Sequence, residues 1–379
     1  MSIETPPTAD LARLPHLPSV QALRGLGTIG VLVAHLWMIE GKYSPDRLLG
    51  DWANLGHWGV DIFFVISGFI MVYVTWHAER GVGAVGPYLW RRVSRIYPLY
   101  WIVSLAVLMV WLWRPEIVFS SNRPDILKGF LLFPQKNQPL LAVGWTLVFE
   151  MYFYLVFTLA LLFARRWIPL FLGVWAVVAV VGWVALAPQA EDAVARHVFN
   201  PLTLEFIAGA GFGYWYVKRG GNRDRTRLVR PAWVAGLSVV VVGLLAYTYA
   251  TQPDLTAYIG LWEERVMLFG VAAFAAFAAM LVSGYRPGRT VVWLGDISYS
   301  LYLTHVLTLS LIGRIAQPYL REGLLDNVVV LVVMAAAAIA VGHLTYVWIE
   351  RPLIRFFRRR RRPARTDPAA DPETASASH

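Results

Sequence analysis

The chain has 379 residues, of which 57% are hydrophobic and 15% are charged, and its formal net charge is +10. Soluble domains carry about 25% charged residues, so this composition excludes an ordinary soluble globular protein and indicates a polytopic membrane protein. The chain contains no cysteine, which excludes disulfides, thiolate metal sites and a cysteine acyl-enzyme.

Several apolar segments are long enough to cross a bilayer, which takes about 20 predominantly apolar residues. In chain order the ten candidates are 20–39, 58–77, 96–113, 144–164, 167–187, 199–217, 232–250, 266–283, 291–311 and 327–349. We therefore predict an all-α membrane bundle of about ten transmembrane helices. The "GAGFG" stretch at 209–213 lies within a span with no strand before it, which favours close helix packing over a dinucleotide loop.

The basic residues predict the orientation of these spans. With the N-terminus in the cytoplasm, most of the 34 Lys and Arg residues fall in cytoplasmic segments, as the positive-inside rule requires. Ten spans then place both termini in the cytoplasm, and the basic balance indicates topology rather than nucleic-acid binding. The predicted parts are a cytoplasmic segment 1–19, a membrane domain 20–352 and a tail 353–379, basic at first and then disordered.

The first span carries two ionisable residues, Arg24 and His35, eleven positions apart. Eleven residues make about three helical turns, so both side chains lie on one face and differ in height by about 16 Å. Counting rise per residue puts Glu150, Glu205 and His305 at the depth of His35. Asp61 lies just above this layer. Any one of these groups is as readily a snorkelling or hydrogen-bonded structural residue, but together they predict a polar chamber.

Two chemistries fit such a chamber. A histidine beside carboxylates is a general-base arrangement, and a transporter with a midplane site uses the same residue types. On the other side of the membrane, "RRVSRIYPLYW" places Arg91, Arg92 and Arg95 in one turn, as a topology anchor or a phosphate site. No Walker-type loop or acidic metal pair accompanies them, so neither nucleotide hydrolysis nor a metal site is predicted.

Six stretches, in order, resemble the integral-membrane acyltransferase family 3, which includes bacterial exopolysaccharide, lipopolysaccharide and nodulation-factor O-acyltransferases. The stretches are "QALRGLGTIGVLVAH", "GVDIFFVISGFIM", "RRVSRIYPLYW", "GWTLVFEMYFY", "ISYSLYLTH" and "ERP" at 350–352. They extend from residue 21 to 352 and cover nearly the whole predicted membrane domain. Relatives that acetylate polysaccharides often have a polar residue where Val148 stands, and this chain departs from that pattern.

The resemblance implies an O-acetyltransferase that moves an acyl group from acetyl-CoA to a glycan hydroxyl at the bacterial inner membrane. His35 is the implied base, and Glu150 or Asp61 would orient it or bind sugar hydroxyls. Together with the depth argument, the resemblance gives these further predicted site residues: Arg24, Arg91, Arg92 and Arg95 for the donor, and Trp145, Glu205, Ser298, Tyr299, Tyr302 and His305 for the acceptor or the chamber lining.

The expected partners are acyl-CoA, a glycan or lipid-linked saccharide and the lipid bilayer, with no nucleic acid and no permanently bound cofactor. Homo-oligomer formation is left open. Direct transfer is favoured over a relay through Ser67, because no base is adjacent to that serine in sequence. The alternative function is a transporter or flippase of a polar or acylated glycan, and a weaker one is a structural subunit of an export complex.

Overall fold

The computed structural model describes residues 17–114, 124–186, 192–221, 231–251 and 262–359. Most of the predicted N-terminal segment 1–19 and of the predicted tail 353–379 lies outside these residues. The described part of the chain is helical and contains no strand, which confirms the predicted all-α class.

The helices follow one another with short connections. They are α1 (Pro18–Tyr43), α2 (Trp58–Thr75, preceded by the 3-10 turn Asp51–His57), α3 (Val82–Trp113), α4 (Ile126–Phe130), α5 (Trp145–Leu162), α6 (Ile168–Ala185), α7 (Ala193–Val198), α8 (Thr203–Lys218), α9 (Pro231–Thr251), α10 (Trp262–Arg265, a π-helical turn Val266–Gly270, and Val271–Val282), α11 (Arg289–Ala316), α12 (Leu324–Thr345) and, after the π-helical turn Tyr346–Glu350, α13 (Arg351–Arg359).

Each predicted span coincides with one of these helices. By length and composition, seven helical stretches of the described chain can cross a membrane: Pro18–Tyr43, Asp51–Thr75, Val82–Trp113, Ala142–Leu162, Arg165–Ala185, Ala232–Thr251 and Leu325–Arg358. Helix α8 has only 16 residues, and the apolar part of α10, Val266–Val282, is also short. The count of ten and the orientation of the termini stay predictions.

The centre of the bundle is α1, which packs against α2 and α11 through glycines. A Cβ added to Gly59 would lie 2.2 Å from the carbonyl oxygen of Gly27, and one added to Gly295 would lie 1.9 Å from that of Gln21. These backbones are in direct contact, as small residues permit in membrane helix pairs. The same contact brings the polar residues of the three helices together.

The "GAGFG" stretch also serves helix packing. A Cβ on Gly209 would lie 2.0 Å from the carbonyl oxygen of Val65, so α8 presses directly on α2. Aromatic rings fill the neighbouring space, with Phe153 and Phe206 only 4.6 Å apart between centroids. This confirms the predicted packing role and fixes α2 between α1 and α8.

Candidate functional site

A cavity of about 350 Å³ lies among α1, α2, α3, α5 and α11. It unites residues that the sequence places in five separate segments. The polar side chains in its lining are Gln21, Arg24, Ser67, Tyr73, Arg92, Arg95, Thr146, Glu150, Tyr154, Ser298, Tyr299 and Tyr302. Most of the predicted donor-side and chamber residues therefore share one space.

One wall of the cavity is basic. Arg24 is half-buried and its Nη1 donates to Gln21 Oε1 at 3.3 Å. Arg92 is buried, with its guanidinium 5.5 Å and 5.4 Å from the ring centroids of Tyr88 and Tyr154. Arg95, one turn further along α3, is more exposed and also lines the cavity. Of the four arginines predicted to bind the donor, three line the cavity. The fourth, Arg91, is exposed and is not among the lining residues.

The acidic residue of the cavity is Glu150. Its Oε1 accepts hydrogen bonds from Ser67 Oγ at 3.2 Å and from the Tyr154 hydroxyl. Among the hydrogen bonds of the described chain, none joins Glu150 to His35. Helical rise predicts the depth of a residue and leaves open which neighbouring helix it faces. The prediction that Glu150 and His35 share one chamber is therefore not what the contacts show, since Glu150 faces Ser67 on α2.

Three histidines form a second cluster. The ring centroid of His35 lies 4.7 Å from that of His305, with the planes at 85°, and 5.3 Å from that of His57. The sequence predicted that His35 and His305 lie at the same depth, together with Glu150 and Glu205. It missed His57, which stands immediately before the second span and was counted as loop. Its position in "GHWGVD", one residue from a helix start, is the signal that could have found it.

Backbone carbonyls determine the tautomer of all three rings. His35 Nδ1 lies 2.8 Å from the Val31 carbonyl, His57 Nδ1 lies 3.0 Å from that of Asn54, and His305 Nδ1 lies 2.7 Å from that of Tyr302. A carbonyl oxygen only accepts, so each Nδ1 carries the hydrogen and each neutral ring has its lone pair on Nε2. Nε2 of His35 is therefore the atom that can take a proton. In the described residues no group of histidines and carboxylates is arranged to hold a metal ion.

Tyr302 lies between the cavity and the histidine cluster. Its hydroxyl is 2.8 Å from Thr146 Oγ1, within the cavity lining, and its ring centroid is 5.8 Å from that of His305. Helix α11 places Tyr302 and His305 one turn apart on adjoining faces. This tyrosine is therefore the contact through which the two regions meet.

Asp61 and Glu205 belong to a third, fully buried group centred on Arg265. Arg265 Nη2 donates to Asp61 Oδ2 at 2.7 Å and Arg265 Nε to Asp61 Oδ1 at 3.1 Å. Glu205 packs against Gly270 beside this ion pair. Asp61 makes no hydrogen bond to His35 among the described contacts, contrary to one predicted role. Its link to the histidines is indirect, because Arg265 Nη2 also donates to the His57 carbonyl at 3.3 Å.

Two more residues complete the description. Glu350, in the "ERP" stretch, is buried, accepts from Ser300 Oγ at 2.5 Å, and interacts electrostatically with Arg24 and Arg95. The sequence reading used this stretch only for the resemblance and gave the glutamate no role. Trp145 packs against the rings of Phe64 and Phe149 and is not among the cavity-lining residues.

Comparison with known proteins agrees with this architecture. Residues 17–347 match the acyltransferase 3 family, described as an acyltransferase domain, and the chain belongs to this family. With its multiple apolar helices it is a multi-pass membrane O-acyltransferase, which transfers groups other than aminoacyl groups. No solved structure matches the chain.

Three curated relatives illustrate the similarity. The exopolysaccharide production protein ExoZ of Rhizobium meliloti is 30% identical over 329 residues, 82% of this chain and 94% of ExoZ. The acyltransferase MdmB of Streptomyces mycarofaciens is 26% identical over 95% of this chain and 97% of its own. The peptidoglycan O-acetyltransferase OatA of Listeria monocytogenes is 23% identical over 89% of this chain and 56% of its own length.

Proposed function

We propose that this protein transfers an acetyl group from acetyl-CoA to a hydroxyl of a glycan at the bacterial inner membrane. The observation that carries the proposal is one cavity with three guanidinium groups in its lining, joined through Tyr302 to a cluster of three histidines. The donor carries phosphates, which the guanidinium groups can bind. The acceptor hydroxyl must lose a proton, which a histidine can accept.

The basic wall suits the donor. Arginine guanidinium groups form paired hydrogen bonds to phosphate oxygens, and Arg24, Arg92 and Arg95 all line the cavity. With the phosphates at these residues, the pantetheine arm carries the thioester along the cavity towards Thr146 and Tyr302. In this proposal Arg91 contributes to membrane orientation and not to donor binding.

The histidine cluster suits the acceptor. His35 is only half-buried, and its free Nε2 is the atom that takes the proton of the attacking hydroxyl. Tyr302 donates a hydrogen bond to the developing oxyanion, which is the usual way in which such a charge is stabilised. His305 and His57 hold the ring of His35 between them.

The names of the relatives support a saccharide acceptor. ExoZ is named for exopolysaccharide production and OatA for the O-acetylation of peptidoglycan. We propose a lipid-linked exopolysaccharide intermediate or another cell-surface saccharide as the acceptor of this chain.

The test uses purified full-length protein in detergent, acetyl-CoA labelled in the acetyl group, and a panel of bacterial surface saccharides. We expect label in a saccharide and an increase of one acetyl mass, neither of which forms without protein. A parallel sample in liposomes is tested for saccharide uptake. Uptake without consumption of acetyl-CoA would overturn the proposal and favour the transporter.

A further inference from the structure

The cavity contains a serine paired with a carboxylate. Ser67 on α2 and Glu150 on α5 are 83 positions apart in sequence, yet Ser67 Oγ donates to Glu150 Oε1 at 3.2 Å. Both residues line the same cavity as Arg24, Arg92 and Arg95. A hydroxyl with its proton directed at a carboxylate is the arrangement of an activated nucleophile.

The histidines lie elsewhere. None of the described residues that line the cavity is a histidine. Tyr302 lies between the cavity and the cluster: its ring centroid is 6.1 Å from that of Phe63 in the cavity lining and 5.8 Å from that of His305. A thioester held by the arginines therefore lies on the Ser67 side of Tyr302, whereas the base His35 lies beyond it.

The other hydroxyl groups of the cavity have different partners. Tyr299 donates to the Ile96 carbonyl at 2.7 Å, and Tyr302 pairs with Thr146. Ser298 Oγ is buried and has no hydrogen-bond partner among the described residues. Within the described lining, Ser67 and Tyr154 each direct a hydroxyl at the carboxylate of Glu150. Tyr154 is also fixed under the guanidinium of Arg92, which leaves Ser67 as the nucleophile.

We propose that Ser67 is the first acceptor of the acetyl group and that Glu150 is its base, so that transfer proceeds through an acyl-enzyme. This inference rests on the proposed acetyl-CoA donor. Ser67 Oγ forms a bond to the thioester carbonyl carbon and gives its proton to Glu150. The carbon–sulfur bond breaks, and the CoA thiolate leaves beside the arginines and is protonated by solvent water.

The second half of the reaction releases the group to the glycan. The acceptor hydroxyl gives its proton to His35 Nε2, and its oxygen forms a bond to the ester carbonyl carbon. The bond from that carbon to Ser67 Oγ breaks, Glu150 returns its proton to Oγ, and His35 passes its proton to solvent water. Ser67 lies one helical turn from Phe63, about 6 Å along α2. The acetyl ester is therefore close to the side of the cavity from which the acetyl group is transferred.

The experiment labels the full-length protein with acetyl-CoA, radioactive in the acetyl group, in the absence of acceptor. After an acid quench we expect one acetyl ester per chain on the peptide that contains Ser67, with an equal burst of free CoA. Ser67→Ala should lose the label. The matched control Ser238→Ala removes a hydroxyl that bonds the Val234 carbonyl on α9, outside the cavity lining, and should keep the label. Glu150→Gln should slow labelling about 100-fold, the usual effect of losing a general base.

The lack of cysteine in this chain provides a chemical signature. Ser67→Cys introduces the sole thiol, so its acetyl thioester should be released by neutral hydroxylamine, whereas the wild-type oxygen ester should persist. His35→Ala should still be labelled and should accumulate the ester, because only the second half of the reaction needs His35.

Calorimetry with acetyl-CoA separates the possible failures. Donor binding without any label, or label that persists in Ser67→Ala and is lost in Tyr154→Phe, would overturn the role of Ser67 and leave the proposed acetyltransferase intact. No donor binding by the wild-type protein would overturn the proposed function together with the relay.

Discussion

The cavity and the histidine cluster share helices α1 and α11, but different kinds of contact hold their side chains. In the cavity, polar side chains of different helices contact one another, as Ser67 on α2 does with Glu150 on α5 and Arg92 on α3 with Tyr154 on α5. In the cluster, each imidazole is tied to the backbone of its own segment through Nδ1. The contacts of the cavity therefore depend on which helix faces face each other. Those of the cluster depend on how closely the helices approach, because each ring is already oriented by its own backbone.

In the proposed function, the donor binds in the cavity and the proton transfer takes place in the histidine cluster. On α1, Arg24 lines the cavity and His35, three turns away, belongs to the cluster. On α11, Tyr302 lines the cavity and His305, one turn away, belongs to the cluster. A substitution within one region should therefore affect only that region. A substitution where α1 and α11 touch should affect both.

The largest expected effect is on the histidine cluster. His35→Ala should lower the transfer rate by about 10²- to 10⁴-fold, the contribution of a positioned general base, and leave the Kd for acetyl-CoA unchanged. The measurements are single-turnover transfer and calorimetry. His343→Ala is the matched control, because this helical histidine pairs with Trp293 at 3.3 Å outside the cavity. Full activity of His35→Ala would contradict its role as the base.

The next effect concerns the ion pair of Asp61 and Arg265, which contacts the cluster at the His57 carbonyl. Asp61→Asn leaves Arg265 buried with a weakened partner, and removing one member of such a pair costs about 3–5 kcal/mol. Unfolding in detergent measures the loss of stability. Adding Arg265→Met to Asp61→Asn should recover part of it, since the buried guanidinium that lost its partner is then removed.

A control separates this effect from charge removal in general. Asp125→Asn breaks an exposed pair with Lys128 and should change stability by less than about 1 kcal/mol. An Asp61→Asn protein with unchanged stability and lost activity would instead support the direct catalytic role predicted from the sequence.

A smaller effect is expected in the cavity. Arg95→Ala should raise the KM for acetyl-CoA about 10- to 100-fold, because a hydrogen bond to a charged group contributes about 1.5–3 kcal/mol. The neighbouring change Arg91→Ala should leave this KM within about twofold, since Arg91 lies outside the lining. Equal effects of the two changes would show that the arginines act through the membrane rather than on the donor.

The smallest effect is at the contact shared by both regions. Gly295→Ala forces α11 away from the carbonyl of Gln21 on α1, and overpacking of this kind costs about 1–3 kcal/mol. We expect a lower unfolding temperature and a moderate decrease in both donor binding and transfer. Gly211→Ala, where no neighbouring atom lies within 4 Å, should change none of these. A decrease confined to one region would show that the helix contact is not shared.

Much of this arrangement is local and could be predicted. Apolar length identified the helices, and the eleven-residue step between Arg24 and His35 placed one in the cavity lining and the other in the cluster. Rise per residue also predicted similar depths for His35 and His305, whose rings are in contact. The "GAGFG" glycines were correctly assigned to packing because a span has no strand to build a phosphate loop.

The remaining contacts needed the tertiary structure. Sequence fixes the depth and the face of a residue within its own helix, since both follow from a regular rise and rotation. It does not fix which helix that face meets, and this decided the partner of each carboxylate. Glu150 meets Ser67 rather than His35, and Asp61 meets Arg265, 204 residues away. Glycines that allow two helix backbones to touch determine which helices are neighbours. Which side chains contact one another therefore depends on the packing of whole helices.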